Sequence, residues 1–292
     1  GLEIALLVGV CGLIAQELPD YDTNILINYY GKYSANKVYT MRIPLMLFGD
    51  PDKLDKPISK LSYSEKRERT ENQIIPAIIE ELQSPITSKN DGKQYKVLEE
   101  TITNCCCPII LSTVESIVNK AASCNEGNIR AFEIPCECEE MAISKEHLYK
   151  LKMFMRNSYG VAGEEFAQWM LKQGIYEGKL EDELYDWRNK LEQIFKCEDR
   201  MINNMAVIML AGDLMNRCFG FGINLNIIQN ILTKSVNRVI GDEVQDKYFN
   251  KLVEYIGMNK EYFTNDRTMC FRDKHIGLFE VKNGNCDFWI EP

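Results

Sequence analysis

The segment from Gly31 to Val38 has residue types and spacing that could bind phosphate. A phosphate-binding loop reads G-x-x-x-x-G-K-[ST]: its backbone N–H groups surround phosphate oxygens, its lysine reaches the β- and γ-phosphates, and its hydroxyl helps to hold Mg²⁺. Gly31 and Lys37 keep this register, and Asn36 replaces the second glycine, which asparagine tolerates because it can adopt a positive φ. Val38 replaces the Ser/Thr and offers no oxygen to a metal. The predicted cofactor site comprises Gly31, Ser34, Ala35, Asn36, Lys37 and Val38; alternatively, Lys37 is a solvated lysine at a helix start.

An acidic strand end after this loop is the second requirement, because it would hold Mg²⁺ and position the attacking water. The run from Pro76 to Glu81 is the candidate, with Glu80 in place of the usual Asp and Glu81 beside it. Glu80 is therefore the predicted metal ligand and both glutamates are predicted catalytic residues. They could equally form the polar end of an amphipathic helix. Because Val38 and Glu80 both replace residues that would hold the metal ion, metal-dependent hydrolysis is expected to be weakened.

A turn at Asn90-Asp91-Gly92 predicts a hairpin over residues 86–98. Lys89, Lys93 and Lys96 flank that turn, and three lysines beside one hairpin tip would suit nucleic-acid phosphates. A solvated hairpin tip explains the same residues without a ligand.

The elements that would position these residues alternate between strand and helix in the first half of the chain. Residues 74–82 fit either a helix or a short buried strand, because the run is apolar and β-branched but contains Pro76. The pattern predicts an α/β core over residues 1–140 and a helical domain with a C-terminal β-hairpin over 141–292. The predicted strands are 24–30, 105–111 and 129–134; the predicted helices are 4–16, 37–48, 144–156, 163–172, 180–195, 201–218 and 225–240; the predicted hairpin is 279–290.

Composition narrows the function classes. The 292 residues include 34 Lys+Arg and 43 Asp+Glu, a net charge of −9, so any nucleic-acid contact requires a local basic patch. The 11 cysteines are odd in number and three are consecutive, which favours reduced thiols and a cytoplasmic location. The chain has two histidines, which argues against a His-rich metal site.

The apolar segment at 4–15 is too short to span a membrane and predicts a buried first helix.

Several short motifs, taken in order, resemble the helicase-like family known as domain of unknown function 927, which comprises helicases and their inactivated derivatives in phages and mobile elements. The likeness covers roughly residues 5–215. Each motif is short and degenerate, so their order and spacing carry the resemblance. The matching segments are 30–37, Phe48-Gly49-Asp50-Pro51, 76–81, 88–93, 110–115 (with Val114 in place of Gly), 127–134 and 158–166.

The resemblance implies a P-loop NTPase core of the RecA/AAA type and a link to DNA replication of mobile elements. It implies ATP as the cofactor, while the substitutions at Val38 and Glu80 argue against Mg²⁺. It further implies that Ser112 or Thr113 senses the γ-phosphate and that Arg130 acts as an arginine finger toward a neighbouring subunit of a homo-oligomeric ring. From the residues alone, Ser112 and Thr113 fit a helix cap and Arg130 an exposed strand residue.

Three hypotheses follow from the sequence. The first is a degenerate P-loop ATPase or helicase-like protein with weak or absent hydrolysis, which binds nucleotide, DNA or copies of itself and has no membrane segment. The second is a catalytically inert structural or interaction module. The third is an active ATP-dependent helicase that works through Glu80 and Glu81 despite Val38.

Overall fold

A computed structural model describes residues 2–18, 24–31, 34–54, 74–79, 107–118, 131–136, 145–236, 258, 263–264, 277–282 and 285–290. The chain divides into two compact units, Gly1–Ile240 and Gly241–Pro292. The boundary predicted at residue 140 therefore lies inside the first unit.

A four-stranded parallel sheet forms the centre of the first unit. Its strands are β1 (Leu26–Tyr30), β2 (Ala77–Ile79), β3 (Ile109–Thr113) and β4 (Phe132–Pro135), in the order β2-β3-β1-β4. All three strand pairs are parallel. Strands β1 and β3 are buried along almost their whole length, as continuous apolar runs in a covered parallel sheet should be. The predicted α/β class is confirmed, and the ambiguous run at 74–82 contains a strand.

Strand β3 begins at Ile109, four residues later than the prediction from the cysteine run. Pro108 precedes it and has no N–H to give to a sheet ladder. Its carbonyl instead accepts a hydrogen bond from the N–H of Ala77, at 2.9 Å, which aligns β2 with β3. Cys107 is a buried thiol that forms no disulfide, and Cys105 and Cys106 lie outside the described residues.

Helix α1 (Leu2–Gln16) is apolar around its whole circumference and nine of its 15 residues are buried, which confirms the predicted buried first helix. Its small residues allow close approach to its neighbours. A methyl group at Gly12 would overlap the carbonyl oxygen of Ile74, and one at Gly9 would crowd Pro44. Among the described residues, no helix combines the length and the apolarity needed to cross a membrane.

Helix α2 (Ser34–Met46) follows β1 directly and packs against α1. It begins three residues before the predicted start at Lys37 and ends two before the predicted end at Phe48. Ser34 and Ala35 extend it at the front, since alanine is the strongest helix former. A short helix α3 (Pro51–Leu54) follows the Gly49-Asp50 break.

The helical region continues the first unit. Its helices are α4 (Lys145–Asn157), α5 (Val161–Lys172), α6 (Glu177–Glu192), α7 (Asp199–Phe219) and α8 (225–236), each within a few residues of the predicted bounds. Helix α7 is the core of this region, with 14 buried residues between Met201 and Met215, and it packs against α1 and α6. Helix α6 buries an apolar stripe that includes Leu180, Leu184 and Leu191.

The turn between α4 and α5 fixes the helical region to the end of α2. Gly160 has φ +84°, a left-handed conformation that favours glycine, and its N–H donates to the Met46 carbonyl at 2.7 Å. The N–H of Gly163 donates to the Leu47 carbonyl at 2.8 Å, and a methyl group at Gly163 would collide with that oxygen. The Tyr-Gly-x-Ala-Gly segment therefore donates hydrogen bonds to the last carbonyls at the C-terminus of α2, which places the start of α5 beside the end of that helix.

The second unit contains a three-stranded sheet. Strands β6 (Gly277–Lys282) and β7 (Asn285–Ile290) pair antiparallel, with Lys282 opposite Asn285, which confirms the predicted C-terminal hairpin. Strand β5 (Phe263–Thr264) pairs parallel with β6 and had no counterpart in the sequence prediction, because two residues give no periodic pattern.

Candidate nucleotide-binding site

Strand β1 ends, and α2 begins four residues later, at the carboxyl edge of the parallel sheet. Gly31 follows the last residue of β1 with φ +137°, a backbone conformation that side chains disfavour. Its N–H donates to the Thr113 carbonyl at the end of β3, at 3.1 Å. On the other side of β1, the N–H of Cys136 donates to the Tyr30 carbonyl at 2.7 Å. The ends of three strands are therefore joined where open α/β sheets bind ligands.

Lys37 lies in the first turns of α2 with only 2% of its surface exposed. Its ammonium group donates to the Gly31 carbonyl at 2.6 Å and to the Thr113 carbonyl at 2.9 Å. It is thus not a solvated lysine. Its charge is held by backbone dipoles at the junction of β1, β3 and α2.

Four other residues predicted to bind the cofactor lie in the first turns of α2. Ser34, Ala35 and Asn36 belong to the first turn of α2, so Asn36 has a helical backbone rather than the positive φ that a second loop glycine would adopt. Val38 is half-buried in the same helix. Its apolar side chain gives this turn no oxygen ligand for a metal ion.

Ser112 and Thr113 end strand β3 beside the loop, and both are buried. The Thr113 hydroxyl lies 2.6 Å from the Glu115 carbonyl and 3.0 Å from the side-chain oxygen of Asn28. A hydroxyl has one proton, so it donates to one of these acceptors at a time. Thr113 therefore contributes its carbonyl to Lys37 and its hydroxyl to a polar cluster within the sheet.

That polar cluster centres on Glu133, a functional candidate that the sequence patterns did not single out. Glu133 is 8% exposed. Its first carboxylate oxygen accepts hydrogen bonds from the Asn28 amide and from the N–H of Ile117, each at 2.8 Å, and its second accepts from the Ser116 hydroxyl. The sequence does contain signals for this cluster. Glu133 lies in the apolar run Ala131-Phe-Glu-Ile, and Asn28 lies within Leu-Ile-Asn-Tyr. A polar residue inside a buried strand needs a hydrogen-bonding partner.

Two ionisable groups at the carboxyl end of the sheet, Cys136 and Tyr29, have raised pKa values. Burial raises the pKa of the Cys136 thiol, although the nearby Lys37 ammonium opposes that rise. Burial also raises the pKa of the Tyr29 phenol far above its ordinary value. Neither group therefore supplies a negative charge to Lys37.

Six predicted site residues lie outside the described residues. Strand β2 ends at Ile79, immediately before the predicted acidic pair, and Ile79 lies opposite Leu111 of β3. Strand β4 begins at Phe132, two residues after the predicted arginine finger. Within the described part of the chain, no group of three or more His, Cys, Asp or Glu residues could hold a metal ion. The six residues are Glu80, Glu81, Lys89, Lys93, Lys96 and Arg130.

The fold is helicase-like. The chain is similar to a solved structure of the SCCmec type IV protein Cch, an active helicase, with a TM-score of 0.67 and 18% sequence identity. The match covers 99% of this chain and 57% of that one, so the chain spans a little over half the length of the helicase. No protein-family model and no curated protein matches the sequence.

Proposed function

We propose that the chain is a nucleotide-binding, helicase-like P-loop protein in which metal-dependent hydrolysis is weak or absent. The observation that carries the proposal is Lys37, a buried lysine in the first turns of a helix that follows an inner strand of a parallel sheet. Helix N-termini at this edge attract anions, because their backbone N–H groups and the helix dipole both point at the ligand. Gly31 and Lys37 have the spacing of a phosphate loop.

A nucleotide phosphate would compete for Lys37 with the two carbonyls that hold it. An ammonium group has three N–H donors, and its bonds to an ionised oxygen gain a charge–charge attraction that its bonds to neutral carbonyls lack. Binding would therefore exchange the carbonyl of Gly31 or Thr113 for a phosphate oxygen. The Thr113 carbonyl would still accept a hydrogen bond from the N–H of Gly31 after that exchange, so the end of β3 would stay hydrogen-bonded.

The proposed site offers few good ligands for a metal ion. Val38 lacks the hydroxyl that holds Mg²⁺ in working loops, and the acidic pair Glu80 and Glu81 is one methylene longer at its first position than the usual Asp. Nucleotide binding is therefore proposed to depend more on Lys37 than on Mg²⁺. Membership of the domain 927 family and a role in DNA replication of mobile elements belong to the same proposal and are supported by the ordered motifs. The fold shared with an active helicase supports the helicase-like part of the proposal.

Titration with a fluorescent ATP analogue, with and without Mg²⁺, tests the proposal directly. The unaltered protein should bind, and Lys37→Ala should weaken binding at least tenfold, since a charge-assisted hydrogen bond contributes about 1.5–3 kcal/mol. Lys172→Ala, at an exposed lysine of α5, is the matched control and should bind as the unaltered protein does. Circular dichroism of Lys37→Ala must show a folded chain. Equal binding by folded Lys37→Ala and by the control would contradict the proposal.

A second function is favoured by the same lysine. Because its ammonium group already has two carbonyl acceptors within the chain, Lys37 could serve only to join α2 to β3. The chain would then be a catalytically inert interaction module. That function predicts no detectable analogue binding to the unaltered protein, whatever the Mg²⁺ concentration.

A further inference from the structure

A small basic pocket lies between α2 and α4, outside the loop at 31–38. Its volume is about 140 Å³. Arg42 and Tyr39 contribute from α2, Lys152 and Arg156 from α4, and Asp52 from α3. Three cationic side chains therefore meet at one concave site of a chain whose net charge is −9.

The charges in the pocket are incompletely balanced. Arg42 forms an ion pair with Asp52 at 2.9 Å, the single carboxylate of the lining. The Lys152 ammonium lies over the Tyr39 ring, 4.9 Å from its centroid. In the described part of the chain, no hydrogen bond, ion pair or ring contact engages Arg156, which is exposed. The pocket thus keeps an excess of positive charge that an anion can neutralise.

Helix α4 carries this basic character along one exposed face. It has four basic residues and one acidic residue, Glu146, and that glutamate is paired with Lys150 at 2.6 Å. Tyr149, Lys152 and Arg156 are spaced at i, i+3 and i+7, so they share a face about 10 Å long. The Tyr149 ring is 64% exposed. Exposed aromatic rings beside clustered cations are the features by which proteins bind single-stranded nucleic acid.

We propose that this pocket binds a backbone phosphate of single-stranded nucleic acid, with Arg156, Lys152 and Arg42 around the phosphate and Tyr149 stacking on a neighbouring base. The planar guanidinium of Arg156 can donate two parallel hydrogen bonds to phosphate oxygens. The site does not require nucleotide at Lys37, which does not line the pocket and lies five residues before Arg42 in α2. Failure of nucleotide binding would therefore leave it intact.

Fluorescence anisotropy of a labelled oligothymidylate at low salt, without ATP, tests this site. Arg156→Ala and Lys152→Ala should each weaken binding about tenfold, as expected for loss of a hydrogen-bonded charge. Lys150→Ala removes the same charge from the same helix, but about 200° around its axis from Lys152, and should change affinity less than twofold. Tyr149→Ala should weaken binding about fivefold through lost stacking.

The salt dependence separates the two contributions. For single strands, each phosphate contact adds about 0.7 to the slope of log affinity against log salt. Arg156→Ala should lower that slope by about 0.7, whereas Tyr149→Ala should leave it unchanged. Inorganic phosphate at constant ionic strength should displace the oligonucleotide only weakly, because it offers no base to Tyr149.

Three results would overturn the proposal. The first is that the unaltered protein does not bind the oligonucleotide. The second is that Arg156→Ala and Lys150→Ala bind with the same affinity and slope. The third is that inorganic phosphate displaces the strand completely at low concentration while Tyr149→Ala has no effect, which would make the pocket a site for free phosphate.

Discussion

Two cationic sites, Lys37 in α2 and the pocket between α2 and α4, differ in where their charge is neutralised. Lys37 is 2% exposed and gives its protons to two backbone carbonyls, so the folded chain itself supplies its partners. Arg156 is exposed and, among the described residues, has no partner. A charge held inside the protein contributes to folding as well as to any binding, whereas an exposed unpaired charge is available for binding alone. The comparison predicts that substitution of Lys37 changes stability as well as affinity, whereas substitution of Arg156 changes affinity only.

Glu133→Ala should have the largest effect, because Glu133 is the centre of the buried cluster beside Lys37. Removing its carboxylate leaves the Asn28 amide, the Ile117 N–H and the Ser116 hydroxyl without their acceptor. We expect the free energy of unfolding to fall by about 3–5 kcal/mol, measured by urea denaturation. Glu133→Gln keeps one acceptor oxygen and should lose less. A loss below about 1 kcal/mol in Glu133→Ala would mean that water replaces the carboxylate.

Glu133 also marks the limit of what the sequence could predict. The parallel sheet, the buried first helix and the C-terminal hairpin follow from apolar runs and turn residues that act locally. The Gly31 and Lys37 spacing gave the position of the loop. Neither spacing nor periodicity indicates that Glu133 meets Asn28, 105 residues away, because that contact depends on β4 pairing with β1 across a crossover. The predicted start of β3 at Cys105 was wrong. Strand β3 begins only after Pro108, which has no N–H to donate to a neighbouring strand, although the run from Cys105 to Leu111 is apolar throughout.

Lys37→Met should have an intermediate effect on stability. Methionine keeps the apolar stem that α2 buries but leaves the Gly31 carbonyl without the ammonium donor. We expect a loss of about 1–2 kcal/mol in the free energy of unfolding, together with loss of ATP-analogue binding. Both are measurable on one preparation, by urea denaturation and by fluorescence titration. Unchanged stability with lost binding would assign Lys37 to the ligand alone, and the reverse would assign it to the fold alone.

Arg156→Ala should have the smallest effect on stability, and it tests most directly whether the exposed arginine acts in binding alone. Its guanidinium is exposed on α4, and alanine is at least as good a helix former, so the free energy of unfolding should change by less than about 0.5 kcal/mol. Arg42→Ala, in the same pocket, breaks the ion pair with Asp52, which is itself largely exposed, and should cost no more than about 1 kcal/mol. Urea denaturation of both variants checks this. If Arg156→Ala lost more than about 1 kcal/mol, the arginine would contribute to the fold as Lys37 does, and the weaker oligonucleotide binding expected of that variant could no longer be assigned to a lost phosphate contact.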